Sequence, residues 1–135
     1  MEPITLEIPS GEDIAESIIN YARHRQVSLT VLSGFGPISS VTLAPNLSME
    51  GPFQMTSLYG TYINADCDDV PPRFIANPPH SSFSVVFTDN DGKVFGGIVG
   101  GEVIAADVVY VNVVIVNGFD FDVVDDDGST QSDSD

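Results

Sequence analysis

The stretch Asp89-Asn90-Asp91-Gly92-Lys93-Val94-Phe95-Gly96-Gly97-Ile98-Val99-Gly100-Gly101-Glu102-Val103-Ile104-Ala105-Ala106-Asp107-Val108-Val109-Tyr110-Val111-Asn112-Val113-Val114-Ile115-Val116-Asn117 decides the fold. Its opening Asp91-Gly92 suits a tight hairpin turn, because Asp and Gly both tolerate positive φ. The residues after the turn are mostly small or β-branched, and Val108 to Val116 reads as a strand whose apolar run only Tyr110 and Asn112 interrupt. A strand without polar alternation is expected to be covered on both faces. One chain of 135 residues supplies one cover; a second copy is the expected source of the other. Gly96-Gly97 and Gly100-Gly101 leave room for bulges or for the close approach of another backbone. The whole segment is expected at the centre of an oligomeric β-rich core.

Upstream of this stretch, Phe83 to Thr88 reads as a strand paired through the Asp89 to Gly92 turn with Lys93 to Phe95. Phe53 to Ile63 reads as one strand in two halves: Phe53 and Met55 share one parity, Leu58, Gly60 and Tyr62 the other, so a bulge or bend is expected around Thr56 and Ser57. Pro45 to Pro52 reads as a loop, and the proline-rich, polar Asn64 to Ser82 as the least regular part of the domain. Val27 to Ser33 and Ile38 to Leu43 read as two strands separated by a turn at Gly34-Phe35-Gly36-Pro37. That Gly-x-Gly lacks both the third glycine and the following helix of a dinucleotide loop.

The beginning of the chain alternates from Ile4 to Ile8, as a first strand does, and then turns helical. Ser10 is the expected N-cap, with Asp13 completing an approximate capping box and Glu12 complementing the dipole. Ile14, Ile18, Tyr21 and Ala22 make one apolar face, and Arg23, His24 and Arg25 suit the last turn. Beyond Asn117-Gly118, the alternating Phe119 to Val123 reads as a short edge strand. The domain is expected to span 1–124, followed by a disordered acidic tail over 125–135.

Composition narrows the function. A 42% hydrophobic content is enough for one packed core, so the body of the chain is not a disordered polymer. Four Lys and Arg against 20 Asp and Glu give a net charge of −16. Such a field opposes phosphate backbones and anionic membranes, so neither direct nucleic-acid contact nor a membrane surface is expected for this chain alone. The single Cys67 excludes an intrachain disulfide and a thiolate zinc finger, and fits a reducing compartment. The first residues show neither a basic n-region nor an apolar h-region.

Catalytic material is sparse. His24 falls on the polar side of the helix and His80 follows two prolines, neither in an acid-base arrangement. Asp66, Cys67, Asp68, Asp69 and His80 suggest a metal loop on paper, but the calcium-loop spacing is absent and consecutive acidic residues are commonly just solvated. Aspartates beside Cys67 disfavour a reactive thiolate. No catalytic residue, cofactor or metal is expected. A second reading keeps a small-molecule-binding or enzymatic trimer with a polar cleft between subunits, built from Asn112, His80 or the Asp66 to Asp69 loop.

Several blocks, in order, resemble the PPC (plants and prokaryotes conserved) domain, which follows the AT-hook in plant AT-hook motif nuclear-localised proteins. They are Leu6-Glu7-Ile8 with Gly11-Glu12-Asp13; Tyr21-Ala22-Arg23-His24-Arg25-Gln26; Val31-Leu32-Ser33-Gly34-Phe35-Gly36; Val41-Thr42-Leu43; Gly51-Pro52-Phe53-Gln54-Met55 with Ser57-Leu58-Tyr59-Gly60; and Gly92 to Ala106. The resemblance implies an α/β (α+β) fold, a mainly antiparallel sheet packed against one principal helix, assembled as a homotrimer or mixed trimer. It also implies a non-enzymatic, nuclear role in transcription regulation, in which the chain binds copies of itself, PPC-domain relatives and nuclear transcription factors. Any link to AT-rich DNA would then run through relatives that keep the hook. Gly96, Gly97, Gly100, Gly101, Val109, Val111 and Val113 are the expected trimer contacts.

Three departures accompany the resemblance. No Arg-Gly-Arg-Pro hook or basic cluster of that kind is present. The family's Gly-Arg-Phe-Glu-Ile-Leu partner-binding motif stands here as Gly51-Pro52-Phe53-Gln54-Met55-Thr56, with proline for a charged donor and glutamine for a carboxylate. Prokaryotic members resembling this chain carry histidines at positions that match Ser82, Ser84 and Ile98, which lack imidazoles, so that metal is not expected.

Overall fold

A computed structural model describes residues 2–64 and 80–116. Six strands and one helix occur in the order β1 (Ile4–Ile8), α1 (Ile14–Arg25), β2 (Ser28–Leu43), β3 (Leu47–Ile63), β4 (His80–Thr88), β5 (Val94–Ala105) and β6 (Val109–Val116). All pairings are antiparallel, in the sheet order β1-β6-β2-β3-β4-β5 with a further β2–β5 pairing. The fold is thus the expected one, a mainly antiparallel sheet with one helix. The acidic segment 125–135 and the expected edge strand at Phe119 to Val123 lie outside the described residues, as do Asp66 to Asp69.

Two strands, β2 and β5, hold the molecule together by changing partners along their length. The first half of β2 pairs with β6, from Ser28↔Val116 to Phe35↔Tyr110, and its second half pairs with β5, from Ile38↔Ala105 to Leu43↔Val99. Likewise β5 gives Val94 to Ile98 to β4 and the rest to β2. Strands β2, β3, β4 and β5 therefore close into a ring, while β6 and β1 extend the sheet from the first half of β2. Closure leaves few free edges, and each exchange is accompanied by an irregular register.

The change of partner corrects the expected turn at Gly34-Phe35-Gly36-Pro37, which is the interior of one continuous strand. Gly36 has φ 143°, and a Cβ there would lie 2.9 Å from Val109 Cγ2 and 3.0 Å from Val109 Cα. Only glycine lets β6 come that close. Pro37 sits in the gap between the last β6 pair and the first β5 pair, where its missing N–H is not needed, and its carbonyl accepts from Ala106 N at 2.9 Å. The expected loop from Pro45 to Pro52 shrinks in the same way, since β3 already begins at Leu47. Opposite Ser39 the register steps from Ile38↔Phe53 to Ser40↔Glu50, so Gly51 and Pro52 together face one residue in a bulge. The bulge expected near Thr56 is present: Met55 pairs with Phe87 and Ser57 with Val86, leaving Thr56 between them.

The helix begins later than the sequence suggested. Asp13, not Ser10, is the N-cap, its Oδ1 accepting from Ala15 N at 3.2 Å and Glu16 N at 3.5 Å. Ser10 is held elsewhere, donating its hydroxyl to Ala106 O at 3.0 Å. The residues between them are tied to β5: Gly11 N donates to Ala105 O at 2.7 Å and Ala105 N to Glu12 O at 2.9 Å. Asp13 also accepts from Val103 N at 3.4 Å. Cap and sheet thus share one carboxylate, which fixes where the helix starts. Gln26, at φ 58°, closes the helix after Arg23, His24 and Arg25.

Ile14, Ile18 and Ala22 point into a single core with Leu29, Val31, Ile38, Val41, Leu58, Val103, Val109, Val111 and Val113. Inside the closed ring the core is aromatic: Phe87 lies 4.8 Å from Phe53 and 5.5 Å from Phe95, centroid to centroid. Each fully buried Ile, Val or Phe contributes on the order of 1.5–3 kcal/mol relative to exposure, and so the subunit has a core of its own.

Candidate protein-interaction surface

The period-two geometry of β6 splits its valines between two environments. Val109, Val111 and Val113 are each 0% exposed, buried in the core of one chain, whereas Tyr110 on the opposite face is 39% exposed. The three valines expected as contacts to another copy are thus enclosed within the chain, and Tyr110, Asn112 and Val114 are the outward residues of β6. Gly96, Gly97, Gly100 and Gly101 are all exposed. The close backbone approach expected at the glycines is found within the chain at Gly100, where a Cβ would lie 2.6 Å from Ala44 N.

The outward residues of β6 continue into a band across the sheet. Tyr110 is paired with Phe35, and their rings lie 6.0 Å apart. Phe35 is 49% exposed, Leu32 51%, Tyr59 54% and Ile98 48%. Leu32 is the residue left over where the β2–β6 register steps from Val31 to Ser33. Because Val31 pairs with Gly60, the next residues along, Leu32 and Tyr59, are neighbours across β2–β3. Tyr59 pairs with Ser84, and Ser84 with Ile98. Apolar side chains from β6, β2, β3 and β5 thus share one face, interleaved with Thr5, Ser33, Asn112 and Ser84.

Asn112 is the polar centre of this face. Its Oδ1 accepts from the Thr5 hydroxyl at 2.7 Å, and its Nδ2 donates to Ser33 Oγ at 2.8 Å, so it bridges β1 to β2 across β6. The network satisfies the amide within the chain and holds the strands in register. The sequence singled out Asn112 as an interruption; its partners lie 107 and 79 residues away.

The Gly51 to Thr56 segment divides by parity. Phe53 and Met55 are buried in the aromatic core, at 8% and 0% exposure, while Pro52, Gln54 and Thr56 are exposed. Thr56 donates its hydroxyl to Val86 O at 3.2 Å. Pro52, Gln54 and Thr56 are therefore the outward residues of this segment, and Phe53 and Met55 set the strand in place.

Ser84 and Ile98 face each other across β4 and β5, and Ser82 pairs with Thr61. Among the described residues no three His, Cys, Asp or Glu side chains converge as metal ligands. Nor is any described helix long and apolar enough to cross a membrane.

Comparison with known proteins agrees with this architecture. Residues 1–117 match the Plants and Prokaryotes Conserved (PCC) domain profile. AT-hook motif nuclear-localized protein 28 of Arabidopsis thaliana is 34% identical over 109 residues, covering 75% of this chain and 51% of that protein. AT-hook motif nuclear-localized protein 17 of the same plant is 34% identical over 110 residues, 75% of this chain and 38% of its own length. The match thus spans about half or less of these curated relatives. Among solved structures, a plant- and prokaryote-conserved protein of Pyrococcus horikoshii superposes with a TM-score of 0.61 at 19% identity, over 84% of this chain and 77% of that one.

Proposed function

The chain belongs to the Plants and Prokaryotes Conserved domain family, and from that premise we propose that it is a non-enzymatic assembly domain of transcription-related complexes in the nucleus. It associates with copies of itself, or with family relatives, as a trimer built on the outer face of the sheet. The observation that carries this reading is the exposed band of Leu32, Phe35, Tyr59, Ile98 and Tyr110 in a chain of net charge −16. Contiguous exposed apolar side chains on a highly charged protein mark interaction surfaces. The four exposed glycines of β5 permit close packing beside Ile98, and Pro52 with Gln54 offers a separate contact for nuclear partner proteins.

The names of the Arabidopsis relatives support the nuclear setting. Contact with AT-rich DNA is assigned to hook-bearing relatives in a mixed trimer, because the field of this chain opposes phosphates. Two measurements test the proposal. Light scattering on the eluting protein at micromolar concentration is expected to give three times the 14.4 kDa chain mass; a lone chain mass would sink it. An AT-rich duplex should be retained by a co-expressed mixture with a hook-bearing relative and not by this protein alone; retention by the lone protein would overturn the indirect route.

A further inference from the structure

Among the described residues, each Arg and Lys is already held by an aromatic residue of its own chain. Arg23 donates from Nε to the Tyr62 hydroxyl at 3.3 Å, the Arg25 guanidinium lies 4.8 Å from the Tyr21 ring centroid, and Lys93 Nζ lies 6.0 Å from the Phe95 centroid. Arg23 and Arg25 also close α1, whose Ile14, Ile18 and Ala22 share the core with the inward valines of β6.

The outer face carries a related arrangement with no cation in it. Glu7 pairs with Tyr110 across β1 and β6, and Tyr110 with Phe35 across β6 and β2, so the three form one row over adjacent strands. Residues paired in register point to the same face, and the strands lie about 5 Å apart. All three side chains are exposed, and the two rings stand 6.0 Å apart at 37°. In the next row Thr5, Asn112 and Ser33 are hydrogen-bonded to one another. In this one, among the described residues, the Glu7 carboxylate meets no donor and neither ring meets a cation. Aromatic faces attract cations, and a carboxylate beside them adds a full negative charge, so the row suits a guanidinium or an ammonium group.

We propose that the row of Glu7, Tyr110 and Phe35 takes an arginine or lysine side chain from a partner subunit, and that Glu7 thereby selects mixed assemblies over the homotrimer. This rests on the proposed assembly through the outer face and names the partner, a family relative that presents a cation there. Charge complementarity with a chain of net charge −16 favours such a partner. A second copy brings described cations that are already engaged, together with a Glu7 of its own. Its homotrimer therefore encloses the carboxylate without a counter-charge, which is a penalty, whereas the cation of a relative relieves it.

The test uses Glu7→Gln, which keeps the shape of an exposed side chain and removes its charge. Sedimentation velocity across a micromolar series should show the Glu7→Gln homotrimer forming at a concentration at least about threefold below the native one. Native mass spectrometry of the chain co-expressed with AT-hook motif nuclear-localized protein 28 should show the ratio of mixed to homomeric trimers falling at least about tenfold on Glu7→Gln. Glu7→Asp should largely keep the native ratio. Glu50→Gln removes the same charge from an exposed position of β3 outside the band and should change neither reading. An unchanged ratio with Glu7→Gln, or an equal response to Glu50→Gln, would overturn selection by Glu7 and leave assembly through the outer face standing. Single-chain masses alone in every sample would overturn both.

Discussion

Replacing Phe35 and Tyr110 by serine should dissociate the assembly while leaving the subunit folded. Phe35 is 49% and Tyr110 39% exposed in the single chain. Taking about 200 Å² for a whole aromatic side chain, about 100 and about 80 Å² remain to be buried. At about 25 cal/mol per Å² the pair offers at most ~4.5 kcal/mol per subunit. Association costs and imperfect packing absorb a large share, and if about half is realised the loss is ~2 kcal/mol per chain, roughly 30-fold. Summed over three chains, trimer formation weakens by about four orders of magnitude. Sedimentation velocity across a micromolar series reads this as a shift from trimer to monomer, and far-UV circular dichroism should stay unchanged. Leu47→Ser is the control: Leu47 is 54% exposed but pairs with Leu43 at the β2–β3 hairpin end, away from the band. If the double variant sediments like the native protein, or Leu47→Ser dissociates it equally, the outer face is not the interface.

Gly60→Ala should be among the most damaging single changes: at φ 155° a Cβ would run into Ser82 O and lie 2.8 Å from Phe83 Cα, both backbone atoms. Strain and overpacking together cost about 3–5 kcal/mol, so thermal melting should fall by at least about 10 °C. Asp13→Ala loses the helix cap and the Val103 N contact together, so chemical denaturation should show about 1–2 kcal/mol of destabilisation, and Ser10→Ala less. Gln54→Glu should leave melting within about 2 °C, since the side chain is exposed. The same substitution is expected to gain affinity for nuclear partners of hook-bearing relatives, read by pull-down against the native chain.

How far the sequence could be read depends on the range of the interactions involved. The Thr56 bulge was legible because a parity change between Met55 and Leu58 is local, and the hairpin was legible because Asp89 to Lys93 closes on itself: Asp89 N donates to Lys93 O at 3.0 Å. Ser10 and Asp13 are both good caps, and the choice between them is made by Val103 and Ala105, some 90 residues away, so it was not legible. Nor was the passage through Gly36 and Pro37, whose tolerance depends on β6 and β5 meeting there. The valine strand did carry its facing in disguise: Tyr110 and Asn112 share a parity, and that parity is the outward one. Leu32, Phe35, Tyr59 and Ile98 escaped notice as a group, although the adjacent apolar pairs Val31-Leu32 and Leu58-Tyr59 break alternation as half-exposed residues do.

The proposed contact face is poor in charge. The band across β6, β2, β3 and β5 is lined by Thr5, Ser33, Asn112 and Ser84, and the carboxylate nearest to it in register is Glu7, paired with Tyr110. Most of the net charge of −16 is carried elsewhere, with seven aspartates in residues 117–135 alone. Bringing three such chains together works against their mutual repulsion, while the contact itself is apolar. Salt screens the repulsion and leaves the contact intact, so association should tighten as NaCl rises from about 0.05 to about 1 M, a change that shortens the screening length severalfold. Sedimentation velocity tracked through one salt series should show the larger species gaining as NaCl rises. If high salt weakens the assembly, the subunits are held by ion pairs and not by the aromatic face of the sheet.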